Sequence, residues 1–157
     1  MVDIGEPVPY MERTHQYYRA LGYTKDYVWA KFDDVPFAPL RGRLSEARIG
    51  LITTANPPDY DGVRHLWCGL TASPPPMLHT TDLAWDKEST HTDDRECFLP
   101  IKAATEIAAE GMIAGLTARF HGVPTDYSQR RTSHVVAPKV LERLREDGAD
   151  AAILCPL

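Results

Sequence analysis

The sequence lacks two features that would assign it to a function class at once. Lysine and arginine number 17 against 22 aspartates and glutamates, and the formal net charge is −5. The basic excess that favours binding to a phosphate backbone is therefore missing. No apolar run approaches the ~20 residues that a membrane-spanning helix needs. We therefore expect neither nucleic acid nor a membrane among the partners.

Cysteine is also scarce. The three cysteines, at positions 68, 97 and 155, are far apart and odd in number, which excludes a disulfide framework and a CxxC zinc pair. The first residues, MVDIGEPVPYMERTH, have neither the basic nor the apolar region of a secretory signal. Together these features predict a cytoplasmic protein with free thiols.

The composition that remains is that of one ordinary globular domain, with 157 residues of which 43% are apolar. Apolar spacing predicts a helix over 10–21, capped by Gly22. An aromatic, proline-punctuated stretch over 27–40 follows, which we expect to pack on the core or on another subunit. We predict an N-terminal arm over 1–40 and an α/β domain over 41–157.

Strands and helices alternate in the second part. The run RIGLITT at 48–54 is typical of a buried parallel strand. The next stretch, 55–77, holds five of the thirteen prolines and is predicted to be loop. The remaining predicted elements are a short strand at His79–Ala84, a helix over 102–120 that begins after Pro100 and that Gly111 either ends or bends, a helix near 137–147 and a strand at 149–155. This order predicts a three-layer, Rossmann-like α/β domain with a small, mostly parallel sheet.

The carboxyl ends of parallel strands are the usual ligand edge of such a sheet. Thr53 and Thr54 follow the first strand, where their hydroxyls either hold a carboxylate or only satisfy the turn. Cys155 ends the last strand, where it is either a nucleophilic thiolate or a small buried hydrophobe. Both alternatives stay open on the residues alone.

Histidine and acidic residues are concentrated between positions 79 and 97, and His91 with Asp94 is the candidate acid–base pair. The other histidine and acidic residues considered in this segment are His79, Asp82, Asp86, Asp93 and Glu96. No HxH, HExxH or paired-cysteine spacing supports a metal site, so whether a metal binds is unknown. The stretch RFHGVPTD around His121 is predicted to be a turn, either structural or presenting backbone donors to an anion.

The order of five stretches resembles the glycine, sarcosine and betaine reductase component B and D-proline reductase family, the selenoprotein B family. The stretches are RIGLITTA at 48–55, DKESTHTDD leading to FLPI at 98–101, AAEGMIAGL at 108–116, FHGVPT at 120–125 and LERLREDGADAAIL at 141–154. The resemblance covers roughly residues 36–157.

Members of this family reduce or cleave bonds at the α-carbon of small amino acids, through a selenocysteine or cysteine just after the last strand. The resemblance thus implies a subunit of a heteromeric reductase or reductive lyase, an oxidoreductase acting on a small amino-acid-like substrate. The candidate catalytic residues are Cys155, His91 and Asp94. The candidate substrate-binding residues are Thr53, Thr54, His121 and Thr125. No cofactor is evident.

The sequence ends at Cys155-Pro156-Leu157, where the family continues into its redox centre. Three explanations are open. A second subunit completes the sheet and supplies the redox thiol or selenol, Cys155 has become the reactive thiol, or the chain is non-catalytic. The end at Leu157 is also the result expected if a selenocysteine codon were misread as a stop codon. The alternative function is a small-carboxylate binding or structural subunit.

Overall fold

The chain divides into two compact units, Met1–Pro36 and Phe37–Leu157. The structure, a computed structural model, describes residues 7, 9–26, 28–36, 38–83, 87–126 and 128–157. Of the residues named in the sequence analysis, Ala84 and Asp86 lie outside these ranges, as do positions 27 and 37 of the aromatic stretch and positions 1–6 and 8 of the quoted first residues. In the first unit, helix α1 spans Tyr10–Ala20, as its spacing predicts, and none of these eleven described residues is buried.

The second unit is a mixed α/β fold around a five-stranded, mostly parallel sheet. The strands are β1 (Arg48–Thr53), β2 (Trp67–Leu70), β3 (Gly115–Leu116), β4 (Arg119–Gly122) and β5 (Ala151–Cys155). The α/β class and the mostly parallel sheet are confirmed.

Strand β1 is the centre of the sheet. It pairs in parallel with β5 along Ile49–Thr53, and on its other edge with β3 near Arg48 and with β4 near Thr53. Strand β2 lies antiparallel to β4. Because β1, β4 and β5 run in the same direction, their carboxyl ends meet at one edge of the sheet.

Pro100 and the glycines at 111 and 148 mark helix boundaries as predicted, but the last helical run begins at Gln129, ahead of the predicted start near 137. Helix α2 spans Ile101–Ala109 after Pro100, and α3 is the short turn Gln129–Arg131. It continues through the π-helical Thr132–Val136 into α4, Ala137–Glu146. Gly111 and Gly148, just past α2 and α4, have φ of 75° and 71°, a conformation that favours glycine. Among the described helices, none has both the length and the apolar character needed to cross a bilayer.

Two apolar clusters of buried residues hold this unit together. One contains Ile49 and Leu51 of β1 with Phe120 of β4. The other contains Ile52 of β1 with Leu144 of α4. Successive residues of a strand point to opposite faces, so the alternation along β1 supplies both clusters.

Three sequence predictions of local structure were wrong. The stretch 55–77, predicted to be loop, contains β2. The stretch around His121, predicted to be a turn, is β4, and β3 precedes it. His79 makes only an isolated bridge to Asn56 instead of opening a strand. All three local structures depend on pairing with a segment that is distant in the sequence, and a local sequence pattern does not indicate such pairing.

Gly122 allows β2 to approach β4, and this generates the first prediction. A Cβ at Gly122 would lie 1.8 Å from Nε1 of Trp67, and that indole donates a 3.0 Å hydrogen bond to the carbonyl of Ala55. Gly122→Ala should therefore lower the free energy of unfolding by about 1–3 kcal/mol, the usual cost of overpacking, measured by urea denaturation.

Gly42→Ala is the matched control. A Cβ at Gly42 would meet only the end of the flexible Glu46 side chain, at 3.0 Å, so its stability should change little. Equal losses for the two variants would contradict the role assigned to the Trp67 contact.

Candidate functional site at the carboxyl end of the sheet

The predicted ligand edge brings together the ends of three parallel strands. Thr53 of β1 stands opposite Gly122 of β4 on one side and opposite Cys155 of β5 on the other. The backbone N–H of Val123 donates to the carbonyl of Thr53 at 2.8 Å. Thr53, Gly122 and Cys155 therefore form one row at this edge, and the loops after β1, β4 and β5 start from it.

Both threonine hydroxyls accept hydrogen bonds from backbone N–H groups of the chain. Thr53, which is 1% exposed, accepts a 3.2 Å hydrogen bond on Oγ1 from the N–H of Ala55. Oγ1 of Thr54 accepts from the N–H of Leu157 at 2.9 Å. The first contact lies within the turn after β1 and the second joins that turn to the segment after β5, and the predicted binding of a substrate by these hydroxyls stays a prediction.

Cys155 is a buried thiol. Its Sγ lies 3.9 Å from the carbonyl oxygen of Ile153. Burial raises the pKa of this thiol, because the low-dielectric surroundings disfavour the thiolate. The catalytic role predicted for Cys155 therefore requires a further positive group or helix terminus beside it.

A polar cluster, which we call the Asp82 cluster, lies beside this edge and consists of Asn56, Tyr60, Arg64, His79 and Asp82. Oδ1 of Asp82 accepts from the Asn56 amide at 3.2 Å and lies 3.3 Å from Nε2 of His79. Its Oδ2 lies 3.3 Å from the Arg64 guanidinium. The rings of Tyr60 and His79 are 4.9 Å apart.

The electrostatics of this cluster favour a charged pair. The pKa of Arg64 is raised, first by its hydrogen bond with Tyr60 and then by Asp82. Partial burial by itself raises the pKa of Asp82, but hydrogen bonds from its own backbone amide and from Arg64 outweigh burial and lower it. Asp82 is thus an anion at neutral pH, held beside a cation.

Arg64 also connects the cluster to the loop after β4. Its guanidinium donates to the carbonyl of Thr125 at 2.7 Å, and Oγ1 of Thr125 is buried without a hydrogen-bond partner among the described residues. A buried hydroxyl without a partner is costly. The Arg64 guanidinium thus contacts the backbone of Thr125, whose hydroxyl is unpartnered among the described residues, and two such donors suit a small anion.

The structure does not bring His91 and Asp94 together. The His91 side chain is 70% exposed and its Nδ1 lies 3.9 Å from Asp93. Oδ1 of Asp94 instead accepts from the N–H of Glu96 at 2.9 Å, capping the 3-10 turn Arg95–Cys97. The acid–base role of this pair stays a prediction.

His121 lies inside the sheet, where its side chain is completely buried. Nε2 of His121 is 3.2 Å from Oδ2 of Asp147, at the end of α4. Asp147 also accepts from Nε of Arg119 at 2.9 and 3.1 Å. Burial lowers the pKa of His121 from its ordinary 6.5, although the hydrogen bond with Asp147 opposes this shift.

Sequence reasoning missed most of the Asp82 cluster. His79 and Asp82 were noted only as part of an acid-rich segment, and Asn56, Tyr60 and Arg64 were not selected. One signal was available, since Arg64 is the single lysine or arginine between positions 55 and 77. Arg119 and Asp147 are 28 residues apart, and no spacing rule connects them.

Comparison with known proteins returns no relatives. No protein-family model matches the chain, and no curated protein or solved structure is significantly similar to it. In the part of the chain that the structure describes, no group of three or more histidine, cysteine, aspartate or glutamate side chains is arranged to hold a metal ion.

The buried histidine generates the second prediction. Because the folded state disfavours the imidazolium, the folded chain binds fewer protons than the unfolded chain between the lowered pKa and 6.5. The free energy of unfolding therefore falls as pH is lowered through that range, by at most about 1.4 kcal/mol per pH unit from this group.

His121→Gln, whose amide can still reach Asp147, should show a smaller loss of stability on acidification. Urea denaturation of both proteins at several pH values between about 7 and about 5 checks this. Parallel curves for the two proteins would show that His121 does not carry the pH dependence.

Proposed function

We propose that this chain is a subunit of a heteromeric reductase or reductive lyase of the glycine, betaine and D-proline reductase type. Its contribution is one wall of a pocket for a small amino-acid-like substrate. The observation that carries the proposal is the common row of Thr53, Gly122 and Cys155 at the carboxyl edge. The resembling stretches RIGLITTA, FHGVPT and GADAAIL all end at or near this row.

The Asp82 cluster supplies charge complementary to such a substrate. An amino-acid-like molecule carries a carboxylate and a cationic nitrogen. The Arg64 guanidinium suits the carboxylate, and the anionic Asp82 suits the nitrogen. Thr125 provides a buried hydroxyl without a partner in the described structure.

The proposal includes a Rossmann-like, three-layer arrangement of the second unit. Ile101 of α2 belongs to the cluster that contains Leu51, and Val140 and Leu144 of α4 belong to the cluster that contains Ile52. Helices covering both faces of a mostly parallel sheet are typical of this class. The three unpaired cysteines support a location in the reducing cytoplasm.

The open edge of β5 supports a partner subunit. β5 has the apolar sequence of an interior strand, yet it pairs only with β1 among the described strands. Ile153 is 48% exposed and Leu154 is 71% exposed. An apolar edge strand with free backbone donors and acceptors is a template for further pairing, and a partner strand would cover it.

The non-catalytic alternative rests on Cys155. Its pKa is raised by burial, which makes the thiol a weaker nucleophile in the isolated chain. In this alternative function, the chain binds a small carboxylate and performs no redox chemistry of its own.

Ligand binding is the third prediction. Adding glycine, sarcosine, betaine or D-proline to the ¹⁵N-labelled chain should shift the amide signals of Thr53–Asn56 and Val123–Thr125. A partial pocket should bind in the millimolar range, or about −4 kcal/mol. Arg64→Gln should abolish these shifts, since the guanidinium is removed.

Arg41→Gln is the matched control, because Arg41 lines a separate cavity of about 230 Å³ with Ala47 and Asp150 at the amino end of β1. It should leave the titration unchanged. No shift with any of the four compounds, or equal loss in both variants, would contradict the substrate pocket.

Assembly is the fourth prediction. In extract of the native source, the chain should elute with reductase activity at a mass well above that of the 17.6 kDa monomer. Leu154→Lys should elute as a monomer with its melting temperature nearly unchanged, because an exposed side chain contributes little to the core.

Lys139→Glu, on α4 and away from the β5 edge, provides the control for a change of charge. A wild-type chain that remains monomeric in native extract would argue against the heteromer. It would leave the carboxylate-binding alternative as the better account.

A further inference from the structure

Cys68 and His121 face each other across β2 and β4. They are register partners in this antiparallel pair, so their side chains lie on the same face of the sheet. The N–H of Thr71 donates to the carbonyl of Ala118 at 3.0 Å. Since hydrogen-bonded and non-hydrogen-bonded pairs alternate, Cys68 and His121 form a non-hydrogen-bonded pair, in which side chains approach most closely.

His121 presents an unused basic nitrogen in this pair. Its side chain is completely buried, and Nε2 lies 3.2 Å from the Asp147 carboxylate. A carboxylate only accepts, so neutral His121 donates from Nε2 and leaves Nδ1 as an acceptor. Nδ1 is buried and has no hydrogen-bond partner among the described residues.

Cys68 is the thiol best placed to use this nitrogen. Nδ1 is the ring nitrogen nearer the β4 backbone, and the Cys68 side chain projects from the partner position on β2, on the same face of the sheet. A staggered rotation about Cα–Cβ moves the sulfur among three positions. Cys68 is exposed to solvent, so a small reactant can reach its sulfur.

We propose that Cys68, His121 and Asp147 form a nucleophilic thiol site that reacts with peroxides and is separate from the carboxyl-edge pocket. Nδ1 of His121 takes the thiol proton, and Asp147 holds the ring in the required tautomer. The thiolate attacks one peroxide oxygen and the O–O bond breaks. The leaving hydroxide takes the proton from His121 and departs as water. Sulfur is oxidised to sulfenic acid, and the peroxide is the oxidant.

The experiment compares two exposed thiols of one chain. The purified chain is treated with hydrogen peroxide in the presence of dimedone, which traps sulfenic acid, and labelling of the Cys68 and Cys97 peptides is followed by mass spectrometry. Sγ of Cys97 lies 3.8 Å from the carboxylate of Asp94, and among the described residues it has no histidine as a hydrogen-bond partner. A positioned base accelerates proton transfer by ~10²-fold or more, so Cys68 should be labelled at least about tenfold faster.

His121→Gln tests the base directly, because its amide can keep the contact with Asp147 but cannot take a proton. Labelling of Cys68 should fall to the Cys97 rate while the circular dichroism spectrum stays native. Equal labelling of Cys68 and Cys97 in the wild-type chain overturns the proposal, whether or not the variant folds. Fast labelling that persists in a folded His121→Gln chain overturns the role of His121.

Discussion

The pairing of β1 on both of its edges is the constraint on which the rest of the second unit depends. Residues 49–53 pair with β5 on one edge, and β3 and β4 divide the other edge between them. Five of the six β1 residues are buried. Since these residues supply both apolar clusters, a change in β1 register would exchange the faces of Leu51 and Ile52 and disturb both clusters at once.

The contact between β4 and the end of α4 is the second constraint. Asp147 carries a negative charge at a helix C-terminus, where the helix dipole disfavours it. Arg119 compensates with two hydrogen bonds from Nε, and His121 adds a third contact from within the sheet. A largely buried carboxylate is tolerated only when it is paired and hydrogen-bonded, so this network fixes how α4 lies on the sheet.

The two candidate sites differ in how the fold builds them. The row of Thr53, Gly122 and Cys155 follows from strand direction, because parallel strands place their following loops at one edge. The Asp82 cluster lies beside that row and is held together by contacts of Asp82 with Asn56, His79 and Arg64. The Cys68–His121 pair instead belongs to the only antiparallel pair among the described strands, where register alone sets which side chains meet.

The open β5 edge adjoins the carboxyl-edge row. Ala151–Cys155 has the composition of a strand covered on both faces, while Ile153 and Leu154 are exposed. Cys155 ends this strand in the same row as Thr53. A partner that covered the edge would therefore also approach the proposed pocket.

The sequence by itself determined the elements that are encoded locally. Helical spacing with Gly22 specified α1, and an apolar run specified β1. Pro100 specified the start of α2, and Gly148 the end of α4, whereas the helical run that contains Pro138 begins earlier, at Gln129. The carboxyl-edge positions of Thr53 and Cys155 also followed, because strand order in an α/β chain implies strand direction.

Only the tertiary structure decided the rest. β2 and β4 are short, and each becomes a strand through pairing with the other, so WCGL was predicted to be loop and RFHG a turn. Arg64 reaches Asp82 and Thr125 across 18 and 61 positions. Arg119, His121 and Asp147 meet only when α4 packs on the sheet. Sequence patterns report contacts between near neighbours, whereas these sites are made by side chains that folding brings together from distant segments.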